Sequence, residues 1–337
     1  MHAHGSKTKT RRDALVATGA TLSGFFLAAH LARRGASRVE SVPHTTTDRT
    51  SVDVTAEEAM TVELARHQMT PAFTTRSLRP GVVAMGHVLN VDHFVMSQPT
   101  FPPHPHAGFS AVTWMLPWSD GGFINRDSRG DRSRIGPGTL HWTLAGGGTI
   151  HEEIPEEPGV ACEGLQIFVK LPEDVETMPP AAFHVDAESV PVVSLVGGRA
   201  RVLVGAFEGT RAQIPSYGGV TMLHVDVDEG EVAAGSRELV LPIPTGVEAF
   251  VVVLRGTGTV DGTPVSVGVA STIAAPSVRL MGKDLHALVA WSEPMRGQPT
   301  FQGPFCMFRR ERLADAREAY TSGRLGSLAP SNVRFVR

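Results

Sequence analysis

Two short segments of the 337-residue chain carry side chains able to hold a metal, His104-Pro105-His106 and His151-Glu152-Glu153. On a β-strand residues i and i+2 point to the same face, so each segment offers two ligands on one side. Side by side in a barrel, they bring His104, His106, His151 and Glu153 to one interior point. Three imidazoles and a carboxylate suit a divalent first-row metal. A mixed nitrogen and oxygen shell with room for water or dioxygen points first to Fe(II), with Mn, Ni, Cu and Zn left unordered. Six of the 14 histidines fall between His87 and His151, whereas the part of the chain beyond residue 190 has only His224 and His286, widely separated. Only the earlier half is therefore expected to bind metal. His141 follows Gly136-Pro137-Gly138 in a turn-then-strand context; it replaces or supplements His151, or stands behind the ligands as a hydrogen-bonded or surface histidine. An H-x-H pair also arises by chance, so an ordinary core or surface role stays open on spacing alone. Glu152 and Glu156-Glu157 read as a solvated acidic loop rather than as acid or base groups.

The elements that must position these side chains read as strands. Gly (35) and Pro (24) make up 59 of 337 residues, a punctuation density that favours short strands and turns over long helices. The runs Gly81–Met85, Ala111–Met115 and Leu165–Val169 are short, rich in β-formers and bounded by turn residues. The same habit returns at Thr221–Val227, Glu238–Pro242, Phe250–Leu254 and Thr263–Val267, with Asp261-Gly262 as a hairpin turn. The expectation is an all-β chain of two tandem barrel or sandwich modules divided near Pro191, spanning residues 61–190 and 191–300, with a C-terminal segment over 301–337. One helix is expected over Glu311–Tyr320, with Leu313, Ala316 and Tyr320 on one face and Gly323 as its stop. By strand parity Gly108, Ser110, Val112 and Trp114 share the histidines' face as pocket wall, unless a bulge inverts the count.

Composition narrows the function. Apolar residues at 42% and charged residues at 19% describe a chain able to bury a core, and a net charge of −3 without a basic run gives no support for nucleic acid as a partner. Cys162 and Cys306 belong to no C-x-x-C pair, so neither a disulfide framework nor a thiolate zinc site is expected. No phosphate loop, nucleophile elbow, H-E-x-x-H or complete G-x-G-x-x-G occurs, which removes ATP and hydride-transfer chemistry. At the start, Lys7, Lys9, Arg11 and Arg12 precede an uncharged stretch from Ala14 to Ala32, and Thr10 to Leu15 resembles the opening of a twin-arginine export signal. Residues 1–36 are read as a signal or anchor segment and 37–60 as a linker, which implies export to the periplasm. An uncleaved membrane anchor or a cytoplasmic extension is the alternative, since no A-x-A site follows and Arg33-Arg34 opposes translocation. No stable membrane partner beyond that anchor is expected.

At the metal-ligand segments the chain resembles the pirin family. His104-Pro105-His106-Ala107-Gly108-Phe109 resembles its H-P-H-x-G-F, Asn125 to Ser128 its R-D-S hairpin, and Ala145 to Glu153 its A-G-x-G-x-x-H-x-E element. Ile135 to Gly138, Gly164 to Pro172 and Gly303 to Met307 resemble further strings, so the likeness runs from about residue 70 to 326. The resemblance implies two tandem cupin (jelly-roll β-barrel) modules with the metal in the first, held by His104, His106, His151 and Glu153, and iron as the usual occupant. It also implies that Gly303–Met307 returns to pack against the first module. Ser110 and His141 stand where the family commonly has Glu and Gln, which puts the surroundings of the metal in question. The implied activity is an Fe(II)-dependent dioxygenase of the quercetinase type, with a flavonol-like or enolic aromatic substrate and dioxygen as partners and Glu153 as proton acceptor. The alternative is a non-catalytic iron redox sensor or regulatory binding protein that meets a protein partner; a purely structural metal site is the third reading.

Overall fold

The computed structural model describes residues 60–228, 238–331 and 333–336, and among these described residues turns separate 24 strands and one α-helix. The expected signal or anchor and the linker up to residue 59 lie outside the described residues. Strands β1 to β12 are Thr61–Glu63, Arg66–Thr70, Phe73–Leu78, Val88–Met96, His104–His106, Phe109–Met115, Phe123–Asp127, Arg132–Ile135, Leu140–Leu144, Thr149–Pro155, Cys162–Lys170 and Ala181–Val185. Strands β13 to β22 are Val192–Leu195, Gly198–Val204, Ala206–Phe207, Thr210–Arg211, Thr221–Val227, Leu239–Pro242, Glu248–Val260, Thr263–Ser266, Val269–Ile273 and Ser277–Ser292. A hairpin, β23 (Thr300–Gln302) and β24 (Phe305–Met307), then leads into α1 (Arg310–Thr321).

The first module is a seven-stranded sheet, β12-β9-β6-β11-β4-β3-β2, with a four-stranded sheet, β5-β10-β7-β8. The second centres on a nine-stranded sheet in the order β1-β21-β19-β22-β17-β14-β13, with β18 on β22 and β20 on β19. Two expectations change here. Thr61–Glu63, grouped by sequence with the first module, pairs with Val269–Ser271 of the second, and the Leu64 N–H continues this attachment by donating to the Gly268 carbonyl at 2.7 Å. Gly81–Met85 is a turn rather than a strand: the Val82 N–H donates back to Arg79 and the Val88 N–H to Met85, while Val83 and Met85 are buried as loop residues. Their apolar character reflects burial, which a loop satisfies as well as a strand does. The hairpin turn holds: Asp261 (φ 48°) and Gly262 (φ 80°) both take the left-handed backbone that a two-residue primed turn requires.

Both faces of β6 are covered, and all seven of its residues are buried. Val112 and Trp114 of β6, Trp142 of β9, and Leu165 and Ile167 of β11 form one apolar cluster with Met222, Phe250, Val252, Leu288 and Ala290 of the second module. The modules therefore share a core, and separating them exposes it to water. A second cluster, which includes Leu223, Val225, Val251, Val253, Ala287 and Val289, is confined to the second module. Alternation along β17 thus divides its apolar side chains between the shared core and the module's own aliphatic filling.

The C-terminal segment lies against the first module. The Cys306 N–H donates to the Ala107 carbonyl at 3.0 Å, and Phe305 bridges Ala107 in parallel register. Gly108 permits this approach, since at its φ of 83° a Cβ would stand 2.0 Å from the Cys306 carbonyl oxygen. Leu313 and Ala316 of α1 pack with Ala107, Phe305, Met307 and Leu325. The helix ends as expected, with Gly323 at φ 79° and the Gly323 N–H on the Tyr320 carbonyl at 3.1 Å.

Candidate metal centre

Antiparallel pairing of β5 with β10 sets His151 opposite His104 and Thr149 opposite His106. The three imidazoles meet, with ring centroids 4.8 Å apart for His104 and His106, 4.7 Å for His104 and His151, and 4.9 Å for His106 and His151. One ring nitrogen from each lies within 4.8 Å of the other two. His106 and His151 are buried and His104 half-buried. Burial lowers the pKa of all three, and for His106 and His151 the neighbouring imidazoles lower it further, so each pair of rings opposes a second proton. The His104 tautomer follows from its partner. Nδ1 lies 2.9 Å from the Pro102 carbonyl, which can only accept, so Nδ1 carries the proton and Nε2 keeps its lone pair. Three neutral rings, each with a nitrogen in the cluster, fit a divalent first-row metal.

Glu153, two residues beyond His151 on β10, shares that strand face and is not in the 4.8 Å set. The Thr113 hydroxyl donates to Glu153 Oε1 at 2.7 Å. Burial pushes the Glu153 carboxyl up to about 7, against the opposing effect of that hydrogen bond. Below pH 4.5 both folded and unfolded chains hold this proton; between 4.5 and 7 only the folded chain keeps it, so stability falls as pH rises through that window. The lowered imidazoles act oppositely below their ordinary value of 6.5. Comparison with Glu153→Gln isolates the carboxyl. In metal-free protein, the unfolding free energy of the wild type is expected to drop relative to the variant by as much as about 3 kcal/mol across the window, measured by urea titration. A pH-independent difference would place the carboxyl in ordinary solvent.

A family model for Pirin matches residues 54–169, and one for the Pirin C-terminal cupin domain matches residues 229–326. The chain belongs to the pirin family. A pirin-like protein of Caulobacter vibrioides is 33% identical over 234 residues, covering 66% of this chain and 80% of that protein. A Pseudomonas aeruginosa protein provisionally named a quercetin 2,3-dioxygenase is 31% identical over 253 residues, covering 69% and 82% of the two chains. The crystal structure of a quercetin 2,3-dioxygenase from Acinetobacter baumannii superposes with a TM-score of 0.70 at 23% identity, covering 80% of this chain and 97% of that one. The Escherichia coli pirin YhhW in complex with nickel(II) has a TM-score of 0.57 at 14% identity, covering 70% and 99%. The two structures establish the pirin bicupin fold.

In this pirin the pocket wall is not the one strand parity gave. Gly108, at φ 83°, breaks the chain between β5 and β6, and the alternation restarts. Phe109 and Thr113 face the site, the Phe109 ring 5.0 Å from His106, whereas Val112 and Trp114 belong to the shared core. Ser110 lies on their side of β6, buried, so its departure from the family's Glu does not alter the surroundings of the histidine cluster directly. Phe168 and Gln166 of β11 also reach the site: the Phe168 ring is 5.5 Å from His106, and the Thr113 hydroxyl lies 3.2 Å from Gln166 Oε1. Sequence reading missed both, although their alternation with buried Leu165, Ile167 and Val169 along β11 is the available signal.

His141 does not take His151's place. It pairs across β9 and β12 with His184, ring centroids 5.8 Å apart, and neither of its ring nitrogens has a hydrogen-bond partner among the described residues. Burial lowers its pKa to about 4, with Asp131 opposing. Glu152, read as part of a solvated loop, is fully buried and ion-paired with Arg126; only Glu156 and Glu157 are exposed. Its parity, opposite to His151 and Glu153 on β10, carries it to the far face of the sheet. Cys162 and Cys306 are buried, unbridged thiols, each pushed up to about 12 by burial.

The second module also gathers residues that are distant in sequence. His224 and His286, far apart in sequence, are brought together with Asp226 because β17 pairs with β22, Asp226 opposite His286. The chemistry there differs from that of the first cluster. Arg199 and Arg201 donate to Asp226 at 2.5 and 2.7 Å. The Trp114 indole N–H points at His224 Nδ1 at 3.3 Å, which takes the one lone pair of a neutral imidazole. Burial lowers His224 to about 3. For Asp226 burial acts upward, but the His286 hydrogen bond and the charges around it hold the carboxyl well below its ordinary value. A carboxylate already satisfied by two guanidinium groups makes a poor cation ligand, and this cluster reads as an ion network at the seam between the modules.

Proposed function

We propose that this pirin is a metal-dependent dioxygenase of the quercetinase type, with Fe(II) as its metal and flavonol-like or other enolic aromatic compounds as substrates. The observation that carries the reading is the convergence of three imidazoles, two buried and one half-buried, within 4.8 Å, on the strand face that also bears a carboxyl raised to about 7. His104, His106 and His151 would hold the ion, with Glu153 as its oxygen ligand or as the group next to it. When bound, such a metal supplies a Lewis acid for an enolic hydroxyl beside dioxygen. The chain's own residues do the rest. Glu153, poised near neutrality, accepts the proton leaving the enol hydroxyl on a carboxylate oxygen, and the Thr113 hydroxyl fixes the orientation of Oε1. Gln166 and Phe168 are half-buried while the alternate residues of β11 are buried, which leaves an approach from solvent to the imidazoles. Half-buried Phe168 presents apolar ring surface there to a flat aromatic ligand, backed by the fully buried Phe109 ring 4.8 Å away. The Pseudomonas aeruginosa relative's name supports the same class.

Protein loaded anaerobically with Fe(II), and separately with Ni(II) and Mn(II), is then given quercetin in an oxygen electrode. Oxygen uptake matched by loss of flavonol absorbance is expected. Metal binding without uptake on any flavonol would overturn the dioxygenase reading in favour of the redox sensor.

A further inference from the structure

Lys170, the last residue of β11, has a side chain with no exposed surface. A buried ammonium is stable only where its three protons find acceptors. Lys170 Nζ donates to Glu176 Oε2 at 2.6 Å, to the Gly108 carbonyl at 2.7 Å and to the Leu171 carbonyl at 3.0 Å. Glu176 is equally enclosed. Besides Lys170 it accepts from the Phe308 N–H at 3.1 Å and from Arg312 of α1 at 2.7 Å. The network joins the turn after the two metal-site histidines to the C-terminal helix with every charged group satisfied.

The recipient of that contact is a weakly held strand. β5 has three residues and lies at the edge of its sheet, paired on one side only, with β10. The turn that follows is held as well: the Gly108 N–H donates to the Gly146 carbonyl at 2.7 Å, the Ala107 carbonyl accepts from Cys306, and the Gly108 carbonyl accepts from Lys170. A first-row metal tolerates displacement of its ligands by only a few tenths of an ångström.

We propose that Lys170 is a positioning residue that sets the His104–His106 strand at the spacing the metal requires, and that docking of the C-terminal helix is coupled to metal affinity through Glu176 and Arg312. The inference rests on the metal reading above. Cobalt(II) serves as the probe, with affinity taken from competition with a chelator, ligand geometry from the visible absorption of the bound ion, and Tm from the metal-free chain. The double variant Lys170→Met with Glu176→Gln removes the buried charge pair and keeps an amide oxygen for Phe308 and Arg312, whose partly exposed guanidinium also retains the Glu173 carbonyl at 2.6 Å. Its Tm is expected to stay within a few degrees of wild type while cobalt binds about tenfold more weakly with a changed spectrum. Arg312→Gln, at the outer end of the network, is expected to weaken cobalt about threefold, since it loosens the same chain of contacts one link further out. Wild-type affinity and spectrum in both variants would overturn the coupling while leaving the metal site standing. Failure of wild-type protein to bind cobalt would overturn the metal reading and this inference with it. Should the double variant not fold, Arg312→Gln decides alone, and unchanged affinity there counts against the coupling.

Discussion

His106→Ala is expected to leave the purified protein without stoichiometric metal and to weaken first-row metal binding by more than about 100-fold, because loss even of a group that merely orients a ligand costs 10–100-fold. His106 is a member of the triad, its ring within 4.9 Å of both other imidazoles, and is only 4% exposed. No described residue stands ready to replace it, since His141 keeps company with His184 instead. The loss should not come from unfolding. His106 is held neutral by burial, so it weakens the fold as pH falls below 6.5, where the unfolded chain takes up a proton more readily than the folded one. The variant lacks that contribution, and its metal-free stability should therefore decline less steeply with acid than the wild type's. Elemental analysis after purification, with acid titration of circular dichroism, checks both statements. A variant that keeps one metal per chain would show that the imidazoles are not its ligands.

Trp114→Ala is expected to cost about 4 kcal/mol, the usual range for removing a large buried aromatic ring. Trp114 is fully buried in the core that both modules contribute to, and its indole N–H is directed at His224 across the seam. Its removal opens a cavity between the modules and leaves His224 Nδ1 without a donor. If the shared core makes them one cooperative body, the modules should still unfold together, only at lower denaturant. Trp142 lies in the first module and Trp291 in the second, so single-tryptophan variants report each in turn. Two separated transitions in reporters that carry the conservative Trp114→Phe replacement would contradict the shared-core argument.

The candidate ligands were legible because their logic is local. H-x-H and H-x-E on strands commit each pair to one face whatever the rest of the chain does, and the Asp261-Gly262 turn and the stop at Gly323 are equally local demands on backbone conformation. The pocket wall was not legible, because the parity count crosses Gly108, whose left-handed backbone exists to admit a segment some 200 residues later in the chain. The burial of Glu152 was hidden for a related reason. Its partner Arg126 becomes a neighbour only when β10 pairs with β7.

By itself, then, the sequence determined that the chain is β-rich, where its turns fall, and that His104, His106, His151 and Glu153 have the types and spacing for a metal site. Tertiary structure decided what those residues face: Thr113 on Glu153, an aromatic approach beside His106, a buried lysine behind the ligand strand, and arginines that occupy the Asp226 cluster in the other module. The reason is range. Periodicity and turn chemistry act over a few residues, whereas strand register and the packing of distant segments decide which side chains share a space, and hence which keep a free lone pair and which have already given it away.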